Sequence, residues 1–432
     1  MLRWLLFGLL GLSIFVVIAA EVIMDKQPFI TDIGAPTPED VYYTKSFVEQ
    51  VRAVTEGRAE ADEVIVISEA DANSLMRVGA RMLPRGVGRV TLNDEMVWVE
   101  GAMQIPWPLG ERWLNVAVAV LPFKDQLSLE HLILGGFRLP PDLTLDIGLY
   151  AFNVLSGRDL GSIILSAASE MVIEDDAMVF SLALSEDDRG NVLDGLFGVL
   201  RGGDMPEADL FVEYYISLRE AMDAGQLPST GSFVPYVRFA LQHALDGDES
   251  LLLADRYTAA MLSVTWACGS VHTATAIGRF GSIPEEADRD WDVNCHQLTF
   301  HDRIDLRRHF ITAAAIQAIS NRGVSVSAGE FKELLDSIGS GASSGFDFTD
   351  IVANNSGIRL SNLMMSTPAE HWPELIGRIQ SEEDVIASLE GVPEIMPRAE
   401  FEQRFGDVDS DEYAQMIRFI ESKIDRLPIH SR

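Results

Sequence analysis

The sequence predicts an α+β fold, in which an antiparallel-sheet module with flanking helices is followed by an all-α helical domain. Between Arg89 and Leu134, apolar and polar residues partly alternate in successive short runs, which is typical of half-buried antiparallel strands. After Asp188 this alternation stops, and apolar residues recur mostly at the i, i+3, i+4 spacing of helices. These two patterns separate a sheet-containing part from a helical part.

The composition is that of a folded protein with several domains. Of the 432 residues, 47% are hydrophobic and 23% are charged, so the chain can bury apolar cores. This length predicts roughly two to three domains. We divide the chain into an N-terminal membrane anchor or signal (1–24), a linker and helix (25–60), the α+β module (61–185) and the α-helical domain (186–432).

The charge and the cysteine content exclude several classes of protein. The 66 acidic and 33 basic side chains leave a net charge of −33, which repels phosphate backbones, so we predict no nucleic-acid partner. Because only Cys268 and Cys295 occur, the chain has neither a disulfide scaffold nor a multi-cysteine zinc or iron–sulfur site. The sequence predicts no cofactor.

The N-terminal residues form the longest apolar run. Residues 4–20 carry no charge and are almost wholly apolar, and Val22, Ile23 and Met24 follow Glu21. This run is at the short end for a membrane span and long for the apolar region of a cleavable signal peptide. The sequence therefore predicts an inner-membrane anchor in residues 4–24, with the soluble part in the periplasm. Secretion after signal cleavage is the alternative.

The elements of the first module follow from helix caps and strand alternation. Thr37 and Pro38 open a helix as the N-cap and first-turn residues, and Ser68 caps a second helix that continues to Met82. Strands are predicted at 64–67, 89–92, 96–105, 113–120, 129–134 and 178–184, and further helices at 140–155 and 161–169.

Two features of this module resemble a known family. Ser-Glu-Ala-Asp-Ala-Asn opens the second helix at 68–73, and a strand-to-helix step spans Leu132–Pro141. On these features residues 60–185 resemble membrane-anchored bacterial envelope proteins of the YpmS-like kind. The resemblance implies a small relative of the tubular lipid-binding fold, whose curved sheet and long helix can enclose an acyl chain. A scaffold domain with an ordinary core is the alternative.

The second half of the chain is predicted to be helical. The predicted helices are 191–200, 208–224, 233–245, 250–268, 306–320, 328–337 and 350–362, with one or two tail helices in 393–431. Phe401, Phe405 and Ile420 of the tail are expected to pack back on the domain. Cys268 and Cys295 are candidates for a disulfide, which would stabilise the fold by about 3 kcal/mol; two separate buried thiols are the alternative.

Residues 309–357 carry polar side chains at helical spacing on three predicted helices. They are His309 on the first helix, Lys332, Glu333 and Asp336 on the second, and Asp350 and Asn354 on the third. Gly357 follows Asn354 on the same face of the third helix. This pattern resembles the VanZ-like membrane proteins and the YfiM-like envelope proteins, in which a histidine-led helix, a Gly-x-x-Lys-Glu helix and an Asp-x-x-x-Asn-x-x-Gly helix recur. The resemblance implies a shared polar centre. The chain lacks the long hydrophobic helices of the membrane versions.

Three roles are open for such a centre. The groups can bind a divalent metal through His309, Glu333 and Asp350 or Asp336, or form an acid/base pair whose pKa values are separated by burial. They can also satisfy one another as a structural network. The candidate catalytic residues are His309, Glu333 and Asp350, the binding or structural cluster is Lys332, Asp336 and Asn354, and the metal is left open.

The sequence therefore favours a membrane-anchored envelope protein that binds an amphiphile or a protein partner, with a lipid or an envelope protein as the candidate partner. A metal-dependent or acid/base hydrolase centred on His309, Glu333 and Asp350 is the alternative. A purely structural spacer is the third hypothesis. The residues alone do not decide whether the protein is an enzyme.

Overall fold

A computed structural model places most of the chain. It describes residues 21, 23–31, 33–55, 64–82, 85–107, 110–124, 127–140, 145–146, 149–150, 153, 168–182, 208–269, 295–320, 322–337 and 345–431. The chain divides into two compact units, Met1–Val199 and Leu200–Arg432. The predicted domain boundary at 185/186 lies outside the described residues.

The first unit contains helices and two antiparallel sheets. Its described elements are α1 (Pro38–Thr55), β1 (Val64–Ser68), α2 (Glu69–Arg81), β2 (Gly86–Leu92), β3 (Val97–Ile105), β4 (Arg112–Leu121), β5 (Phe123–Lys124), β6 (Ser128–Leu134), β7 (Phe137–Leu139), β8 (Ala168–Glu174) and β9 (Ala177–Leu182). The sheets have the strand orders β2-β3-β4-β6-β7 and β1-β9-β8-β5, and all pairs are antiparallel. The predicted α+β class is confirmed.

Helix caps and a shared core explain this arrangement. The Thr37 and Ser68 hydroxyls accept hydrogen bonds from the backbone N–H groups of Asp40 and Asp71, at 3.2 and 3.1 Å, so α1 and α2 begin where the caps predict. Strands of both sheets and α2 contribute to one apolar cluster. Its buried members are Ile65, Ile67, Ala72, Val90, Val97, Phe123, Met171 and Met178.

One predicted helix of this unit is wrong at its C-terminal end. Residues 161–169 are predicted as helical, but Ala168 begins strand β8, which pairs with β9. Asp175 and Asp176 join these strands with φ of 49° and 61°, the left-handed geometry that a two-residue hairpin turn requires. Residues 161–167, most of the predicted helix 140–155 and the whole of 191–200 lie outside the described residues.

The second unit is mainly helical. Its described elements are α3 (Ala208–Asp223), β10 (Thr230–Ser232), α4 (Val234–Asp246), α5 (Leu253–Cys268), β11 (Gln297–Thr299), α6 (Ile304–Ile319), α7 (Arg322–Ser337), α8 (Phe348–Ser366), α9 (Trp372–Arg378), α10 (Arg398–Phe405) and α11 (Asp411–Ile424), with short 3₁₀ turns at Ala369–His371, Glu382–Asp384 and Pro428–His430. Strands β10 and β11 pair in parallel, so strand structure does not end at Asp188 as predicted.

The tail of the chain supports the start of α8. Phe401 and Phe405 on α10 are buried, and their rings lie 4.3 Å from the Phe346 ring and 4.8 Å from the Phe348 ring, respectively. Ile420 on α11 is also buried. The tail therefore packs back on the domain as predicted, and it fixes the turn that precedes α8.

The predicted membrane anchor is not supported. In the part of the chain that the structure describes, no helix is long and apolar enough to cross a membrane. The apolar helix α5 has 16 residues and spans about 24 Å, whereas the hydrocarbon core is about 30 Å thick. This contradicts the predicted transmembrane helix and signal anchor and the inner-membrane localisation. Residues 1–20, which hold most of the apolar run, lie outside the described residues.

Close contact between α6 and α8 depends on Gly357. A Cβ added to Gly357 would lie 2.2 Å from the backbone oxygen of Phe310 on α6. One turn further along α8, the Ser361 hydroxyl donates a 3.0 Å hydrogen bond to the backbone oxygen of Ala314. Because glycine has no side chain, the two helix backbones can meet at this point.

We predict that Gly357→Ala destabilises the protein, because the added methyl group meets backbone rather than a movable side chain. The expected loss in the free energy of unfolding is about 1–3 kcal/mol, measured by urea denaturation. Gly377→Ala is the control, since its Cβ would meet no atom within 4 Å. Equal effects of the two substitutions would refute the packing role of Gly357.

Candidate functional site

Helices α6, α7 and α8 bring the predicted polar residues to one pocket with a volume of about 390 Å³. His309 comes from α6, three residues come from α7, and Asp350 comes from the first turn of α8. The predicted residues that line the pocket are His309, Lys332, Glu333, Asp336 and Asp350. Asn354 lies one turn further along α8 and contacts His309. The predicted candidates therefore form one cluster.

His309 lies between two acceptors on α8. Its Nε2 atom lies 2.8 Å from Oδ2 of Asp350, and its Nδ1 atom lies 3.1 Å from Oδ1 of Asn354. Although burial lowers the pKa of an imidazole, the hydrogen bond to Asp350 and the charge of that carboxylate raise the pKa of His309 above its ordinary value. Burial raises the pKa of Asp350, but the hydrogen bond from His309 and the charges of His309, Lys332 and Arg303 outweigh burial. The pKa of Asp350 is therefore lowered. Each group therefore favours the charged form of the other, and the two form a hydrogen-bonded pair.

Glu333 is fully buried beside this pair. One carboxyl oxygen accepts a 3.1 Å hydrogen bond from the backbone N–H of Asp347, and the other lies 3.1 Å from Nζ of Lys332. Burial, and then the negative charge of Asp350, raise the pKa of Glu333 to about 8, against the opposing effects of Lys332 and His309. Glu333 therefore keeps its proton to a higher pH than an exposed glutamic acid does.

Lys332 bridges the carboxyl groups from the pocket side. Its Nζ atom lies 2.7 Å from Asp336, 3.1 Å from Glu333 and 3.4 Å from Asp350. Burial lowers the pKa of an ammonium group, but these carboxylates outweigh it and raise the pKa of Lys332. The side chain is 45% exposed, so the ammonium group can move away from the buried acids without leaving water.

An arginine holds the start of α8. Arg303 donates to Asp347 at 3.0 Å, to Thr349 at 2.7 Å and to Asp350 at 3.4 Å. Asp347 is the N-cap of α8, and its Oδ1 accepts from the backbone N–H of Thr349 at 2.8 Å. These contacts place Asp350 opposite His309.

Because Gly329 has no side chain, the side chain of Asn354 fits between α7 and α8. A Cβ at Gly329 on α7 would lie 2.6 Å from Nδ2 of Asn354, so a larger residue would push the amide away from His309. Together with Gly357, this glycine explains the spacing of the polar pattern in physical terms. The glycines allow three helices to approach, and the polar residues then meet at their contact.

His309, Glu333 and Asp350 can together hold a metal ion. Each offers one ligand atom, and these atoms lie within 4.8 Å of one another. Two ligands about 2.1 Å from an ion are about 3.0 Å apart at a right angle and about 4.2 Å apart in trans. The 2.8 Å spacing between His309 and Asp350 therefore needs only a small opening to admit an ion.

Several residues that line the pocket were not predicted from the sequence. They are Arg303, Asp305, Arg308, Thr312 and Asp347. Three of them could have been predicted, because Asp305, Arg308 and Thr312 lie at helical spacing on the same face as His309. Arg303 and Asp347 lie in loops, where spacing predicts no shared face.

The two cysteines are joined. Cys268, the last residue of α5, forms a disulfide with Cys295, and their Cα atoms are 5.3 Å apart. The bridge closes a loop with a sequence separation of 27 residues, and such a loop stabilises the fold by about 3.5 kcal/mol in the chain-entropy treatment. It connects α5 to the segment that leads into β11 and α6, and so towards His309.

Comparison with protein-family models, with curated proteins and with solved structures finds no match to this chain. The resemblance of residues 60–185 to YpmS-like proteins therefore stays a prediction. The same holds for the resemblance of residues 309–357 to VanZ-like and YfiM-like proteins. The chemistry of the site is interpreted from its own geometry.

We predict that the metal-free protein loses stability as pH rises through the pKa of Glu333, about 8. The native state holds this proton above pH 4.5, where the unfolded chain has released it, so the stabilisation is complete below pH 4.5 and lost as pH rises. Glu333→Gln, which keeps the neutral form, should flatten this decline in Tm measured between about pH 5 and pH 9. His309, whose raised pKa acts in the same direction, leaves a residual slope.

Asp336→Asn is the matched control for this pH series. It removes a carboxylate that also contacts Lys332, but Asp336 is 44% exposed and lies outside the buried group. The Tm decline should persist in this variant. An unchanged decline in Glu333→Gln would show that Glu333 is not the titrating group.

Proposed function

We propose that the second unit is a metal-dependent hydrolase whose divalent ion is held by His309, Glu333 and Asp350. The observation that carries the proposal is the convergence of three buried ligand atoms, one from each of three helices, within 4.8 Å at an open pocket. One imidazole and two carboxylates are a donor set used by catalytic zinc sites and related divalent-metal sites.

The charges around the pocket favour a divalent ion. Five acidic groups line it, namely Asp305, Glu333, Asp336, Asp347 and Asp350, against the three cations Arg303, Arg308 and Lys332. When Glu333 and His309 release their protons to bind a metal, the five carboxylates exceed the three cations by two charges. A divalent cation compensates both charges, as the protons do in the metal-free protein.

The open pocket favours catalysis over a structural metal. Structural sites close the coordination sphere with four protein ligands, whereas catalytic sites keep a position for water or substrate. Three protein ligands leave such a position, and the pocket of about 390 Å³ provides room above it. A bound divalent ion lowers the pKa of its water, which makes a nucleophile for hydrolysis.

Asn354 orients the histidine for this role. When its Oδ1 accepts the Nδ1–H of His309, Nε2 is free to bind a metal on the side of Asp350. Such hydrogen bonds are typical of metal-binding histidines. Without metal, both ring nitrogens of His309 contact α8, so a metal-free acid/base role would require one of these contacts to break.

The amphiphile- or partner-binding role suggested by residues 61–185 stays a prediction. None of the contacts described in the first unit points to a particular ligand. The hydrolase proposal is independent of it, since every residue of the metal site lies in the second unit.

We predict that Mn²⁺ binds the full-length protein at one site and that Glu333→Gln weakens its affinity by about 100-fold or more, because one of three protein ligands is lost. Isothermal titration calorimetry measures the affinity. Affinity should rise with pH by about tenfold per unit for each proton that the ligands release. Metal-dependent hydrolysis of p-nitrophenyl acetate and p-nitrophenyl phosphate provides a second readout.

Asp336→Asn is again the matched control, and its Mn²⁺ affinity should stay close to that of the native protein. The proposal fails if no Mn²⁺, Zn²⁺ or Mg²⁺ binds. It also fails if Glu333→Gln lowers Tm but leaves the metal affinity unchanged, since the cluster would then be only a structural network.

Lys332→Gln should have opposite effects on the two states of the protein. Without metal, loss of the ammonium group leaves the carboxylates near it uncompensated, so Tm falls. The metal affinity should rise by about tenfold, because a positive charge next to the ion is removed. Thermal unfolding with and without Mn²⁺ measures both. A fall in metal affinity would show that Lys332 supports the metal rather than competing with it.

A further inference from the structure

Arg308 lines the pocket and forms no ion pair with any residue that the structure describes. It occupies the turn of α6 next to His309 and lines the pocket. Its Nε atom is buried and has no hydrogen-bond partner, and among the described residues its guanidinium makes no ion pair. Arg303 and Lys332, by contrast, each contact at least three pocket residues.

Thr312 lies one turn beyond Arg308 on the same face of α6. It also lines the pocket, and within the described part of the chain its hydroxyl makes no hydrogen bond. A threonine inside a helix commonly donates to a backbone oxygen one turn earlier. Both side chains line the pocket, and neither is paired with a residue that the structure describes.

We infer that Arg308 and Thr312 recognise a phosphate group, so that the substrates of the site are phosphate esters. The inference rests on the proposed metal-dependent hydrolase. A phosphate ester presents several oxygens around one phosphorus, enough to reach the metal site, the guanidinium and the hydroxyl together, whereas a carboxylate has two. Arginine also binds phosphate with two parallel hydrogen bonds.

The reaction balances without a further reactant. A water molecule adds to phosphorus, the bond from phosphorus to the ester oxygen breaks, and the leaving oxygen takes a proton. The products are inorganic phosphate and an alcohol. The positive charge of Arg308 would stabilise the negative charge that grows on the phosphoryl oxygens, which is the role of arginine in phosphoryl transfer.

The acidity of the whole chain does not prevent this binding. Exposed charges farther away than about 8 Å are largely screened at physiological ionic strength. Within the pocket Arg308 makes no ion pair with a described residue. A small phosphate ester can therefore pair with its guanidinium, whereas a long nucleic-acid backbone would also meet the acidic surface.

The test titrates inorganic phosphate into the Mn²⁺-loaded full-length protein by calorimetry. Arg308→Gln should weaken phosphate binding by about tenfold or more, and Thr312→Val by a smaller factor. The Mn²⁺ affinity of Arg308→Gln should stay the same or rise, because a cation next to the site is removed. Arg238→Gln is the matched control, since Arg238 lines a different pocket, and it should bind phosphate normally.

Two competitors identify the source of the phosphate group. Glycerol 3-phosphate presents it on a small water-soluble ester, and phosphatidylcholine vesicles containing phosphatidate present it on a lipid surface. Displacement of phosphate by either one, together with turnover of p-nitrophenyl phosphate but not of p-nitrophenyl acetate, supports the inference. Displacement by acetate at equal concentration contradicts it.

The experiment separates a failure of phosphate recognition from a failure of the metal site. If Mn²⁺ binds but phosphate does not at millimolar concentration, or binds equally to Arg308→Gln, phosphate recognition is refuted and the metal site stands. If Mn²⁺ does not bind but phosphate binds in a manner that depends on Arg308, the anion site stands and the metal proposal is refuted.

Discussion

The close approach of α6, α7 and α8 is the constraint on which the site depends. Gly357 lets the backbones of α6 and α8 meet, and Gly329 leaves room for Asn354 under α7. The contact brings ionisable groups from three helices into one buried place, where they interact strongly because water is excluded. In this packing the pKa values of both His309 and Glu333 lie above their ordinary values.

The surroundings of the site show how a buried acidic cluster is tolerated. Asp347 caps α8, Arg303 holds that cap, and the aromatic residues of the C-terminal tail support the same turn. Charge compensation and helix capping therefore act on the same few residues. A buried network of this kind is satisfied only as a whole, so changes to single members are expected to be costly.

The sequence predicts much of this arrangement where periodicity applies. Helical spacing places Asp350, Asn354 and Gly357 on one face, and this face contacts α6 in the structure. Spacing cannot predict the loop residues Arg303 and Asp347, because their positions depend on contacts between segments far apart in the chain. Strand β8 was missed for a similar reason, because a short apolar run fits a helix or a strand equally and pairing decides between them, whereas the strand predicted at 178–184 corresponds to β9.

Lys332 affects whether the chain can fold before it binds an ion. Its ammonium group already pairs with the buried carboxyl groups of Glu333 and Asp350. Folding therefore does not require an ion, in contrast to small zinc domains, which stay unfolded without zinc. In the proposed metal-dependent role, the polypeptide can reach its native form before an ion binds. A shortage of the ion would then leave a folded but inactive molecule instead of one exposed to proteolysis.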